Sequence, residues 1–261
     1  MKLTTKQFWD SRHEAYSELP VSNAKARKGL IRKIVDNARL KQGAYVNQSY
    51  SSFLFDRLLK AHMPIRPDWS VIEIGSAPGS NLVNLNRNFG YKPYGVEYSH
   101  AGVVLTQETF RKHGFNADNV IEADFFEEEF QNKFRSTFDV VFSRGFIEHF
   151  DRPDEVVRLH INLLKPGGYL VCTIPNLLGT SYPYFRLCAN DILKSHNCSI
   201  MRKDVFRRIF EPFGLEVKFC GYIGALQFGG CLSSSESSLR NYIAAVLERI
   251  QDILDHCMFL L

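Results

Sequence analysis

The chain has 261 residues, of which 45% are hydrophobic, 13% aromatic and 23% charged, a balance that excludes disordered, collagen-like and coiled-coil classes. Net charge is +4, but residues 1–41 carry ten Lys or Arg against four Asp or Glu, so the basic excess sits in an N-terminal arm. Such an arm serves nucleic acid, an anionic surface or an acidic substrate; without interleaved aromatics the expectation is a solvated helix face.

In Ala24 to Lys41 the residues Ile31, Ile34, Val35 and Ala38 recur at i, i+3, i+4 and i+7, which predicts an amphipathic helix with a basic outer face. A second helix runs from Ser52 to His62 and stops before Pro64. From Trp69 the pattern changes to short β-branched runs: VIEIG at 71, PYGVEY at 93, NVIEAD at 119, FDVVFS at 138 and GYLVCTIP at 168. Helical segments separate them, near Leu82 to Asn88, Ala101 to Lys112, Phe126 to Lys133 and Pro153 to Leu164. Strands apolar on both faces and followed by helices predict a doubly wound α/β fold, a parallel sheet with helices on both faces. Ligands of such sheets bind at the carboxyl ends of the strands, near the point where strand order reverses. Further on, GLEVKFCGYIG from Gly214 reads as a sixth strand, Phe228 to Ser238 as a loop, and Leu239 to His256 as an amphipathic helix running into CMFLL.

No stretch reaches the ~18 uninterrupted apolar residues of a membrane span, and MKLTTKQFWD lacks the apolar centre of a signal peptide, so a cytoplasmic protein is expected. The six cysteines all lie from Cys172 onward and form no CxxC pair; they read as reduced thiols.

The first β-run ends in Glu73-Ile74-Gly75-Ser76-Ala77-Pro78-Gly79-Ser80-Asn81. Gly75 lets the chain turn sharply, small residues at Ser76 and Ala77 admit a ligand to the backbone, and Gly79 lets the next helix pack near the strand. Neither the G-x-G-x-x-G spacing of a dinucleotide site nor the P-loop lysine and hydroxyl is present. The second run ends in Glu97-Tyr98, where a carboxylate can accept hydrogen bonds from both ribose hydroxyls of an adenosine-type ligand. The third ends in Asp124-Phe125, an acceptor for an exocyclic amine beside an aromatic face for a purine. Three acids at the ends of three successive strands form the strongest functional signal in the chain.

These motifs, VIEIGSAPGS, GVEYS, EADFF, FDVVFSRGFIEHFDRP and LLKPGGYLVCTIPN, resemble the class I S-adenosylmethionine-dependent methyltransferases, especially the small-molecule branch that contains quinone-biosynthesis enzymes. The match is continuous from Asp68 to Asn176. The resemblance implies a Rossmann-like, mostly parallel seven-stranded sheet with an N-terminal helical cap (residues 1–50) on a methyltransferase domain (51–261). It implies S-adenosylmethionine as cofactor, leaving S-adenosylhomocysteine. Glu73, the turn from Gly75 to Gly79 and Asn81 would hold the methionine moiety, Glu97 with Tyr98 the ribose, and Asp124 with Phe125 the adenine. Ser143 and Arg144, after the fourth strand, would line the methyl end. The family usually carries glycine at the middle of the turn, where this chain has Ala77.

Methyl transfer to a hydroxyl benefits from a general base. His149, beside Glu148, is the first candidate for that role and His196, in the insert 175–201, the second. Tyr182 and Tyr184 of that insert, and Tyr45 and Tyr50 before the core, are candidate acceptor-facing residues. No Cys, His and acid set has metal-ligand spacing, so neither a metal nor covalent catalysis is expected. The sequence therefore reads as a methyltransferase acting on a small molecule or sugar, most simply at oxygen, and existing as a monomer or homodimer. An RNA methyltransferase, to which GSAPG is also similar, and a non-catalytic cofactor-binding scaffold are the alternatives. The lysine-containing catalytic tetrad of the first finds no clear place here, where SRGFIEHF follows strand four, and nucleic acid is not the expected partner.

Overall fold

A computed structural model describes residues 2–18, 30–42 and 49–224, and beyond these 246–247, 249–251, 253–254 and 258. Three helices come first: α1 (Lys6–Glu18), α2 (Leu30–Lys41) and α3 (Tyr50–His62). Strands and helices then alternate through β1 (Ser70–Ile74), α4 (Ser80–Phe89), β2 (Lys92–Glu97), α5 (His100–Lys112), β3 (Val120–Glu122), α6 (Glu128–Lys133), β4 (Phe138–Arg144), α7 (Pro153–Leu163) and β5 (Leu164–Thr173). The described helices α8 (Tyr182–Cys188), α9 (Asn190–Lys194) and α10 (Lys203–Phe210) follow.

The chain divides into two compact units. The first comprises Met1–Pro20, Met63–Pro175 and Ser199–Val217 and contains the whole sheet. Its strand order is β3-β2-β1-β4-β5, and every pairing is parallel. The chain thus winds outward from β1 through β2 to β3, then crosses back to place β4 on the other side of β1, so the order reverses between β1 and β4. Val71, Ile72 and Ile74 of β1 and Val140, Val141 and Phe142 of β4 are fully or almost fully buried, as strands covered on both faces must be. Val156, Val157 and Leu163 of α7 complete this core from one side. Helix α5 begins where the Ser99 hydroxyl accepts the Gly102 N–H, and α1 packs against it.

The second unit comprises Val21–His62, Asn176–Cys198 and Lys218–Leu261. Within it Val35 of α2 and Phe53 of α3 bury against each other, with Tyr50 packed beside them.

The sheet has five strands among the described residues, against an expected seven. One expectation is corrected. Residues 214–224, expected as a sixth strand, form none: Gly214 turns with φ +66° and the chain beyond it is irregular. Alternating Leu215, Val217 and Phe219 supply the side-chain half of a strand, but a strand also needs a hydrogen-bonded neighbour, and Val217, Phe219 and Tyr222 stay exposed. Of CMFLL, only Met258 lies within the described residues, as do only Ala24–Lys41's last twelve positions. Among the described residues no helix is long and apolar enough to cross a membrane.

Candidate active site

The turn after β1 is held by backbone bonds that only its small residues permit. Gly75 N and Ser76 N both donate to Val96 O, at 3.0 and 3.3 Å, and Gly79 N donates to Ser76 O at 2.6 Å. Gly75 has φ +71° and Gly79 φ +87°, the left-handed region that a side chain resists. A Cβ at Gly75 would also come within 3.1 Å of the Phe146 ring. Gly75→Ala is therefore expected to lower unfolding free energy by about 1–2 kcal/mol, measured by urea denaturation.

Three strand-end acids converge near this turn with different surroundings. Glu73 is 2% exposed; its Oε1 accepts Asn81 Nδ2 at 2.6 Å, while Oε2 has no hydrogen-bond partner. Burial pushes its carboxyl up to about 8, against the opposing pull of Asn81 and the Arg144 guanidinium. Glu97 is 5% exposed, and its Oε1 accepts the N–H groups of Tyr98 and Ser99, both at 3.0 Å. Burial raises its pKa, and backbone N–H groups of Ser99, Ala77 and Tyr98 pull the other way. A carboxylate with three such donors keeps acceptor capacity for a ligand hydroxyl. Asp124 Oδ1 accepts Phe126 N at 3.1 Å and Oδ2 accepts Lys2 Nζ at 2.5 Å. Phe125 next to it is buried, edge-on to Phe146 and His160.

His149 lies in a single 3-10 turn, Ile147–His149, just beyond β4, and is 5% exposed. The edge of its ring meets Trp9, with centroids 5.1 Å apart and planes at 86°. Its carbonyl accepts Leu3 N at 2.8 Å. Its neighbour Glu148 is 1% exposed, with both carboxyl oxygens lacking a hydrogen-bond partner and Oε1 4.0 Å from His149 Nε2. Burial pushes Glu148 up to about 8. Glu73 and Glu148 thus stay protonated in the folded protein where an unfolded chain has already released the proton, so stability falls as pH rises from about 4.5 toward 8. Buried His160, held down to about 4 by desolvation, works in the opposite direction, but only below its unfolded value of 6.5. Between pH 6.5 and 8 the acids act alone among these three, and Glu148→Gln is expected to flatten the fall in Tm over that interval in scanning calorimetry.

A cleft of about 130 Å3 opens at the carboxyl ends of the strands. Of the residues singled out from sequence, Gly75, Ala77, Glu97 and Tyr98 line one part of it, and Asp124, Phe125, Arg144 and His149 another. Glu73, Ser76, Gly79, Asn81 and Ser143 are not among its lining residues. Asn81 joins Glu73 to Arg144, whose Nη1 lies 3.4 Å from Asn81 Oδ1, while the Ser76 hydroxyl is buried without a hydrogen-bond partner. Tyr45 lies outside the described residues. Tyr50, Tyr182, Tyr184 and His196 belong to the second unit, where His196 Nδ1 lies 2.6 Å from Ile192 O and 3.0 Å from Ser195 Oγ.

The resemblance implied an N-terminal cap, but the sequence singled out none of Lys2, Thr4, Trp9 and His13, which line the cleft. Ser99 Oγ donates to Asp10 Oδ1 at 2.6 Å, which leaves that oxygen to accept from His13 Nδ1, 3.1 Å away. Burial lowers the His13 pKa, partly offset by Asp10. A usable signal was the i, i+4 spacing of Trp9 and His13, which places both on one helix face. Phe146 and Phe150, also lining residues, were quoted within a motif but given no role.

A parallel sheet wound in this order, with a glycine turn after its first strand and acids closing the next two, defines a class I methyltransferase. The chain belongs to the Methyltransferase domain family, whose profile matches residues 42–218. It is an S-adenosylmethionine-dependent methyltransferase. Among solved structures it is similar to an S-adenosylmethionine-dependent methyltransferase, possible histamine N-methyltransferase, from Thermotoga maritima, at 16% identity over 82% of each chain with a TM-score of 0.51. A protein from Bacillus halodurans C-125, taken to be a methyltransferase, aligns at 17% identity over 63% of this chain and 70% of its own, TM-score 0.50. A geranyl diphosphate C-methyltransferase from Streptomyces coelicolor A3(2), in complex with Mg2+, geranyl diphosphate and S-adenosyl-L-homocysteine, aligns at 18% identity over 75% and 69%, TM-score 0.48. No curated protein matches the sequence.

Proposed function

We propose that this methyltransferase acts on a hydroxyl of a small molecule or sugar, with His149 as general base. One observation carries the reading: the imidazole of His149 lines the same small, aromatic-walled cleft as the Gly75 turn, Glu97 and Asp124. The residues present fit the cofactor. Glu97 is a buried carboxylate with acceptor capacity left for the ribose hydroxyls, and Asp124 beside Phe125 offers the adenine an acceptor and an aromatic edge. Glu73, Asn81 and Arg144 form a hydrogen-bonded chain for the methionine end, with Gly75, Ser76, Ala77, Gly79 and Ser143 giving it close backbone approach.

When bound, S-adenosylmethionine supplies the electrophilic methyl group. The protein's own contribution is to hold the acceptor in line and to take its proton. His149 would accept that proton at a ring nitrogen, its orientation fixed by Trp9 against the ring and by Leu3 on its carbonyl. Phe146 and Phe150 keep the same wall apolar and reduce water access. Residues 2–13, packed across the cleft, serve as its cap. Calorimetric titration of the full chain with S-adenosylhomocysteine tests the cofactor site: micromolar binding is expected, and no binding at millimolar ligand would overturn it. Transfer of labelled methyl to hydroxyl-bearing metabolites, but not to their deoxy counterparts, tests the acceptor class; transfer to both would overturn oxygen as the acceptor atom.

A further inference from the structure

The N-terminal arm makes one contact that methyl transfer does not require. Lys2 Nζ pairs with Asp124 Oδ2 at 2.5 Å, and the same ammonium lies 5.2 Å from the centroid of the Tyr98 ring and 5.0 Å from that of Phe126. A carboxylate flanked by two aromatic rings is what a purine amine would seek at this strand end: an acceptor for its N–H and a flat apolar surround. The lysine head group answers the same chemistry more strongly, since it brings a full charge to the carboxylate and to both ring faces.

We infer that Lys2 is a pseudo-ligand, an autoinhibitory latch that fills the adenine end of the donor site and must release Asp124 before the cofactor's adenosine can enter. The inference rests on reading Asp124 as the adenine acceptor. Three features make the latch workable. Lys2 is placed by backbone pairing rather than by chance, because it bridges to Phe150 and Leu3 N binds His149 O. The ion pair is partly exposed, with side chains 39% and 32% accessible, so it exchanges readily against a competing donor. The rest of the arm has its own anchor, since Asp10 and His13 hold α1 on Ser99 whether or not Lys2 is bound. The first residues can therefore peel away while α1 remains. Their release also frees the carbonyl of His149, which couples cofactor entry to the loop bearing the proposed base.

A latch of this kind lowers apparent affinity by the fraction of molecules in which it is open. The test is calorimetric titration of the full chain with S-adenosylhomocysteine, comparing wild type with Lys2→Met, which keeps the aliphatic stem and removes the ammonium. Lys2→Met is expected to bind about threefold to tenfold more tightly. Raising salt from about 50 to 500 mM is expected to tighten binding by wild type and to leave the variant unchanged. Equal or weaker binding by Lys2→Met would overturn the latch. Glu97→Gln in the same titration separates the two possible failures. If Glu97→Gln weakens binding while Lys2→Met fails to tighten it, the donor site stands and the latch falls. If both Glu97→Ala and Glu97→Gln keep affinity within about twofold of wild type, or no protein binds, the donor-site reading falls and the latch with it.

Discussion

Glu97→Ala is expected to weaken S-adenosylhomocysteine binding by about 1–3 kcal/mol, roughly tenfold to a hundredfold, in calorimetric titration. The size follows from how the carboxylate is held. Its Oε1 is already fixed by the N–H groups of Tyr98 and Ser99, so the ligand meets an acceptor whose orientation costs no further entropy. Burial of the side chain to 5% exposure strengthens any hydrogen bond it makes to a ribose hydroxyl. The alanine variant loses that bond and also strands the backbone donors of Ala77, Tyr98 and Ser99, so part of the loss reflects a loosened loop at the start of α5. Glu97→Gln separates the two effects, because its amide oxygen can still accept from Tyr98 and Ser99. An affinity within about twofold of wild type for both variants would exclude Glu97 from the donor site.

The sheet was legible in the sequence for a physical reason. Strands covered on both faces need mostly apolar residues, and Val71, Ile72 and Ile74 around the single acid Glu73, with Val140–Phe142, show this without any alignment. The turn from Gly75 to Gly79 was legible because positive φ restricts residue choice, and the acids because they stop apolar runs abruptly. Pattern failed where structure depends on distant partners. Lys2 meets Asp124 across 122 positions and Asp10 meets Ser99 across 89, and no periodicity encodes such pairs. Helix α1 was foreseen only as part of a cap, through the resemblance, since KQFWDSRHEAYSE carries no sustained apolar stripe to mark Trp9 and His13 as cleft residues. The sixth strand failed in the opposite sense: alternation at Leu215, Val217 and Phe219 is local, whereas a strand is a property of two segments.

His149→Ala is expected to reduce turnover on a hydroxyl acceptor by roughly 10²–10⁴-fold while changing S-adenosylhomocysteine affinity by less than about threefold. A general base acts on the proton that leaves as the new bond forms, so its removal raises the barrier without altering how the donor is held. The surroundings of His149 favour that division. The side chain points to Trp9 and the cleft, and its tie to the arm runs through the backbone carbonyl, which alanine retains. His149→Gln serves as the companion variant, since it keeps a polar side chain against Trp9 but accepts no proton at neutral pH. Both variants are expected to lose the limb of kcat/KM that rises with pH as the base deprotonates. Parallel losses of turnover and affinity would instead make His149 part of the cofactor pocket. Unchanged turnover in both variants would assign the proton to another acceptor; for an acceptor that reacts already ionised, no protein base is required at all.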